Sequence, residues 1–172
     1  MRSTDIIEMV VKRTDTNYCH FVVFASERNR VNMGTILPAQ KFFKDDVSGI
    51  LKPIIYCCTY GNIADKTISI NMLMAEKLFK CKSNRRTMQI GAFFNQVLDQ
   101  LPNNPVIKDF DVMFNPDYKV DVLKIMVDAC KRKSFSIVWP GKYEDGKLFY
   151  AEEGYLDFKI FRVEEYDVTC IV

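Results

Sequence analysis

TISINMLMAEKLFKCKSNRRTMQIGAFFNQVLDQLPNNPVIKDFDVMF, residues 67–114, is the stretch whose reading decides the fold. It opens with TISIN (67–71), a short β-branched run of strand type. That run passes without a loop into MLMAEKLF, a helical segment for which Asn71 is the expected cap. Further on, Ile90, Phe93, Phe94, Val97, Leu98 and Leu101 recur at i, i+3, i+4, i+7, i+8 and i+11. This 3.6-residue period predicts a helix over 88–101 with one buried face. Pro102 and Pro105 stop it, and PVIKDFDVMF (105–114) returns as a strand. A strand, helices and a second strand in this order make a crossover unit, which joins parallel strands.

The same alternation continues in both directions. Asn115 and Pro116 supply an N-cap and a first-turn proline for a helix to about Lys133, and FSIVWP (135–140) follows as a strand buried on both faces. Asp145-Gly146 predicts a hairpin turn, and DVTCIV (167–172) closes the chain as a strand. Upstream, residues 4–13 have an amphipathic helical pattern, and HFVVFA (20–25) and PIIYCCTY (53–60) are strand runs. Between them lie the polar stretch 26–32 and a mixed segment from Thr35 to about Asp46, with Pro38 suited to a first turn. The expected fold is one α/β domain over 1–172, in three layers. Its sheet is mostly parallel with helices on both faces, and a C-terminal hairpin adds an antiparallel edge.

Composition excludes several function classes. Twenty-four basic and 22 acidic residues leave a net charge of +2, too little for a global field that attracts nucleic acid or acidic membranes. Asp5 and Glu8 interrupt the first apolar stretch, so no signal peptide is expected, and no uncharged run approaches the ~20 residues of a membrane span. A cytoplasmic protein without a membrane partner is the expectation. Six cysteines are present, three of them (Cys57, Cys58 and Cys170) inside strand-like apolar runs, so reduced thiols are expected rather than a disulfide framework. His20 is the only imidazole; on a strand its neighbour Cys19 points to the opposite face, which argues against a nucleophilic pair. One histidine and no C-x-x-C spacing argue against a zinc site.

A phosphate-binding loop of the G-x-x-x-x-G-K-[ST] type would fall after HFVVFA, where the chain reads ASERNRVNMGT. Arg28, Arg30, Gly34 and Thr35 are the candidate anion contacts there, but the loop lysine is missing. The stretch from Gly141 to Lys147 matches that pattern up to its final hydroxyl, which Leu148 replaces; strand-like residues follow, so it is read as a hairpin. Lys77, Lys80, Lys82, Arg85 and Arg86 form a basic patch without an intervening acid, suited to phosphate or nucleic acid. Glu144, Asp145, Glu152, Glu153 and Asp157 are interleaved with Phe149, Tyr150, Tyr155 and Phe158, a pattern that argues against nucleic acid and suits either edge packing or a protein-binding face.

From residue 67 onward the chain resembles the BrxF-like P-loop ATPase family of BREX phage-defence systems. The likeness lies in ISINMLMAEKLF…NRRTMQIGAFFNQVLDQL, in VMFNPDYKVDVLKIM and in IVWPGKYEDGKLFYAEEGYLDF, in that order. It implies a P-loop-type fold, ATP and Mg²⁺ as cofactors, and partners among other defence proteins. Departures fall on the ATPase chemistry. Lys108 stands where the family has an Asp, with Asp109 and Asp111 nearby, Pro140 stands in its Trp-Asn-Gly element, and the loop lysine is lacking. The resulting expectation is a subunit that does not hydrolyse ATP, has no working cofactor, and acts through protein contact on Phe149, Tyr150, Tyr155 and Phe158. The alternative is a nucleotide- or nucleic-acid-binding module using Arg28, Arg30, Gly34, Thr35 and Asp111 together with the 77–86 patch.

Overall fold

The structure is a computed structural model and describes residues 34–39, 52–58 and 66–172. Its main sheet has six short strands: β1 (Thr35–Leu37), β2 (Ile54–Tyr56), β3 (Thr67–Ser69), β4 (Val106–Lys108), β5 (Ser136–Val138) and β9 (Thr169–Ile171). Their spatial order is β1-β9-β2-β5-β4-β3, and every pairing is parallel. The register puts one apolar residue from the middle of each strand into a single row: Ile36, Cys170, Ile55, Ile137, Ile107 and Ile68. Cys170, Ile55, Ile137 and Ile107, the inner four, are fully buried. Each buried isoleucine stabilises the fold by roughly 1.5–3 kcal/mol relative to exposure, so this row specifies the register of strands only three residues long.

Two helices cross from β3 to β4: α1 (Asn71–Lys80) and α2 (Ser83–Gln100). A third, α3 (Val122–Cys130), leads from β4 to β5. α2 begins five residues before the predicted start at 88, and it buries Ile90, Phe94, Val97 and Leu98 as the apolar period requires. Lys133 closes its far end, donating from Nζ to the Leu98 and Leu101 carbonyls at 2.6 Å each. Both crossovers step the same way along the sheet, which by the right-handed rule places α1, α2 and α3 on one face. The expected helix over 4–13 and strand over 20–25, and with them a helical layer on the second face, lie outside the described residues.

Four expectations are corrected. Thr35–Leu37, expected only to open a mixed segment, is a strand, because its backbone bonds to β9 and to Val168. The strand expected over 105–114 ends at Lys108; Asp109 takes a left-handed φ of 51°, and Asp111–Phe114 coil into a 3₁₀ turn. Asn115 caps as predicted, accepting from the Asp117 N–H at 2.9 Å, but only for the 3₁₀ turn Pro116–Tyr118. Lys119, at φ 49°, interrupts before Asp121 caps α3. Asn71 is the first residue of α1 and caps nothing there; its Oδ1 accepts from the Val112 N–H at 3.0 Å.

The hairpin forms where predicted, between β6 (Lys142–Glu144) and β7 (Lys147–Tyr150), with Asp145 and Gly146 both at positive φ. It is not an edge of the main sheet. An unforeseen strand, β8 (Lys159–Arg162), pairs with β7 to make a separate three-stranded antiparallel sheet. Trp139, leaving β5, ties the two sheets together: its Nε1 donates to the Phe149 carbonyl at 2.8 Å, and its ring meets Phe114 and Phe161 edge-on. Gly141 is required beside it, since a Cβ there would overlap the same Phe149 carbonyl.

Candidate functional site

In an open parallel sheet, ligand sites gather beyond the carboxyl ends of the strands. Here the chain leaving β4 doubles back at Asp109 and presents Asp111, Val112 and Phe114 in a 3₁₀ turn held to α1 by Asn71. The segment after β7 approaches from the other side. Ala151 (φ 59°) and Gly154 (φ 100°) turn it sharply, and the Tyr155 and Phe158 N–H groups donate to the Glu152 and Tyr155 carbonyls at 3.2 Å. The two segments are bolted together at their base. Tyr150 stacks on Phe114 with ring centroids 3.7 Å apart, and its hydroxyl donates to Asp111 Oδ1 at 3.1 Å.

Above that bolt lies an open cavity of about 520 Å³. Val112, Phe114, Pro116, Tyr155 and Leu156 make its apolar walls, and Asp111 and Asp157 add negative charge. Leu156 is 88% exposed and Tyr155 66%, although both sit on a hydrogen-bonded turn. Glu152 and Glu153 are exposed on the same turn. Apart from Asn115, the residues lining the cavity are apolar, aromatic or acidic, and none pairs a nucleophile with a base. What this arrangement can offer is apolar contact ringed by negative charge.

The Tyr150 phenol is pushed well above its ordinary range, first by burial, then by the charge of Asp111 and by their hydrogen bond. Tyr166 is raised in the same way, by burial and by its bond to Asp121 Oδ2 at 2.8 Å. The Cys170 thiol is raised by its contact with Cys57 and by burial in the sheet. All three groups therefore stay protonated and uncharged.

The predicted residues separate into distinct places. Arg28 and Arg30 lie outside the described residues. The loop expected over 25–33 lies outside the described residues; Thr35 opens β1, its N–H donating to the Val168 carbonyl at 2.8 Å and its Oγ1 accepting from Lys52 Nζ at 3.3 Å. A Cβ on Gly34 would overlap the Val163 carbonyl, so that glycine serves close packing. Asp111 belongs to the apolar cavity. Tyr150 is corrected from surface to core, being only 8% exposed, whereas Phe149 and Phe158 are half-buried and face one another at 6.5 Å. Of the expected partner face, Tyr155 alone is fully presented. Sequence reasoning missed Leu156 and Ile160, and the signal for the first was adjacent large side chains, Tyr155 and Leu156, within the acid-rich EEGYLDF.

The basic residues come together where α1 meets α2. Lys77 and Lys80 from α1, with Arg85 from α2, flank a groove of about 390 Å³; Lys82 and Arg86 stand beside it. Among the described residues, no group of His, Cys, Asp and Glu is placed to hold a metal ion, and no helix is long and apolar enough to cross a membrane. No family model, curated protein or solved structure matches the chain.

Proposed function

We propose that this chain is a non-hydrolysing, P-loop-NTPase-like subunit of a bacterial anti-phage complex of the BREX type, and that it acts by docking a partner protein. The observation that carries this reading is the pair Tyr155 and Leu156, held exposed on an ordered turn above an apolar cavity. Exposed large apolar residues on a rigid scaffold, rimmed by polar charge, are the usual anatomy of a protein interface. Its acidic rim (Asp111, Glu152, Glu153 and Asp157) favours a partner segment with apolar anchors flanked by lysine or arginine. The engaged donor of Thr35 and the packed Gly34 support the absence of hydrolysis. The defence setting rests on the sequence resemblance.

The test is affinity purification of the full chain from cells expressing a complete defence operon. Recovery of another subunit of that operon, lost in Leu156→Glu at unchanged melting temperature, is the expected result. Failure to recover any such subunit overturns the docking reading. A parallel titration with Mg·ATP is expected to leave the melting temperature unmoved. A ligand at a hundred times its dissociation constant adds roughly 2.7 kcal/mol, so nucleotide binding is plainly visible if it occurs.

A further inference from the structure

We infer that the α1–α2 groove is a second binding site, for the backbone of single-stranded nucleic acid. Residues 77–86 carry five cations and no acid, whereas the whole chain sums to +2, so everything outside this stretch sums to −3. Positive charge is thus concentrated in one place on an otherwise slightly acidic protein. The groove gathers it on both sides, with Lys77 and Lys80 on α1 and Arg85 on α2, over a floor that includes Phe93 and Gln89. Glu76, the only acid of α1, is exposed and pairs with none of them.

Four cations elsewhere in the structure lie near a carboxylate, Lys52 with Asp167, Lys131 with Asp128, Arg132 with Asp99 and Arg162 with Glu165, so what sets the groove apart is that its cations are clustered with no acid among them. In the groove, Lys77 donates to Gln96 Oε1 at 3.1 Å and Arg86 to the Cys81 carbonyl at 3.2 Å. Lys80, Lys82 and Arg85 have no partner among the described residues. Three uncommitted cations along one groove are what a chain of phosphates needs, since each neutralised phosphate releases counterions. Phe79, in the same last turn of α1 as Lys80, is 83% exposed. Phe79 is not in the groove itself but adjoins Lys80, so a strand leaving the groove over the end of α1 meets an exposed ring on which an unpaired base can stack, a use it does not have against a duplex. The site is independent of the docking cavity, and neither proposal rests on the other.

The measurement is fluorescence anisotropy of the full chain with a labelled oligothymidylate about twenty nucleotides long. Binding is expected at about 50 mM salt, with log K against log salt falling at a slope of about −2, from roughly 0.7 per neutralised phosphate and three free cations. Lys80→Glu with Arg85→Glu should weaken binding at least tenfold and flatten that slope. Phe79→Ala should weaken it by about fivefold or more without changing the slope. Lys82→Glu serves as the second charge variant should the double variant fail to fold. The inference is overturned if the wild type does not bind at low salt, or if the charge variants bind as tightly as wild type. It also fails if duplex of equal length binds better, or if ATP at equal phosphate concentration displaces the oligonucleotide, which would make the groove a free-phosphate site.

Discussion

Two surfaces at different parts of the molecule handle their functional side chains in opposite ways. The α1–α2 end holds its cations outside the core, so that Lys80, Lys82 and Arg85 contribute charge and nothing to packing. In the antiparallel sheet, aromatics of one short stretch divide between two duties. Tyr150 and Phe161 are buried against Phe114, while Tyr155 stands in solvent five residues from the first and six from the second. A surface made of charge alone can be altered without touching the fold. One made of aromatics cannot be altered safely until it is known which ring faces in. Substitutions in the two regions should therefore separate stability from binding to very different degrees.

The sharpest contrast sets Phe114→Ala against Phe79→Ala. Phe114 is 2% exposed and touches Phe110, Trp139, Tyr150 and Phe161, so its loss leaves a cavity where the two sheets meet. Removal of a buried phenylalanine costs about 3–5 kcal/mol. Phe79 has no such role, and its truncation should change stability by less than about 0.5 kcal/mol. Urea denaturation of both variants measures the difference. Equal losses would mean that the α1 surface is structural, against the division drawn above.

Next in size is Lys133→Met, at the opposite end of α2 from the basic groove. This lysine caps two carbonyls, at Leu98 and Leu101, and a hydrogen bond to a charged group contributes about 1.5–3 kcal/mol. Methionine keeps the aliphatic stem and removes the donor, so a loss in that range is expected by denaturation. Binding of the oligonucleotide should be unaffected, since Lys133 lies far along α2 from Arg85.

How much of this was legible follows from where burial and period agree. The strands that carry Ile55, Ile68, Ile107, Ile137 and Cys170 could be read because short apolar runs bounded by turn residues have few other uses in a chain of this size, whereas the strand of Ile36 and the shared register could not. The 88–101 period gave the helix but not its start, as Ser83–Gln89 bury little and carry no period. The strand over 105–114 was a wrong period: Phe110, Met113 and Phe114 are buried at i, i+3 and i+4, a helical spacing, and Asp109 tolerates the left-handed φ that breaks the strand. Of the docking cavity, Asp111 and Tyr155 were foreseen but not that they meet, because Tyr150 joins them across 39 residues of sequence. No local pattern encodes such a contact. The basic groove was nearly complete in the sequence, since its residues lie within one helix–helix turn.

Alkaline pH sharpens the comparison from the side of the sheet. Tyr150 and Tyr166 both have phenols raised by burial and by a carboxylate partner. A group whose pKa is higher in the fold than in the unfolded chain stabilises fully below its unfolded value, near 10, and that stability is lost as pH rises toward the folded value. Thermal stability should therefore fall above about pH 10, and Tyr150→Phe should flatten that fall. The α1–α2 end holds no tyrosine, so the oligonucleotide variants should keep the wild-type profile.

The smallest effect discriminates best, because it compares adjacent residues. Arg86 is half-buried and donates to the carbonyl of Cys81, which ends α1; Arg85 is exposed and lines the groove. Arg86→Gln should cost about 1 kcal/mol as a lost helix-end hydrogen bond. Arg85→Gln should cost nothing and could gain a few tenths, since it relieves repulsion among five cations in ten residues. Oligonucleotide affinity should fall in the opposite order, more for Arg85→Gln than for Arg86→Gln. A residue that weakens binding without weakening the fold is one whose charge is held for a ligand. If both variants lose stability together, the cations are part of the helix junction and the groove has no claim to a ligand.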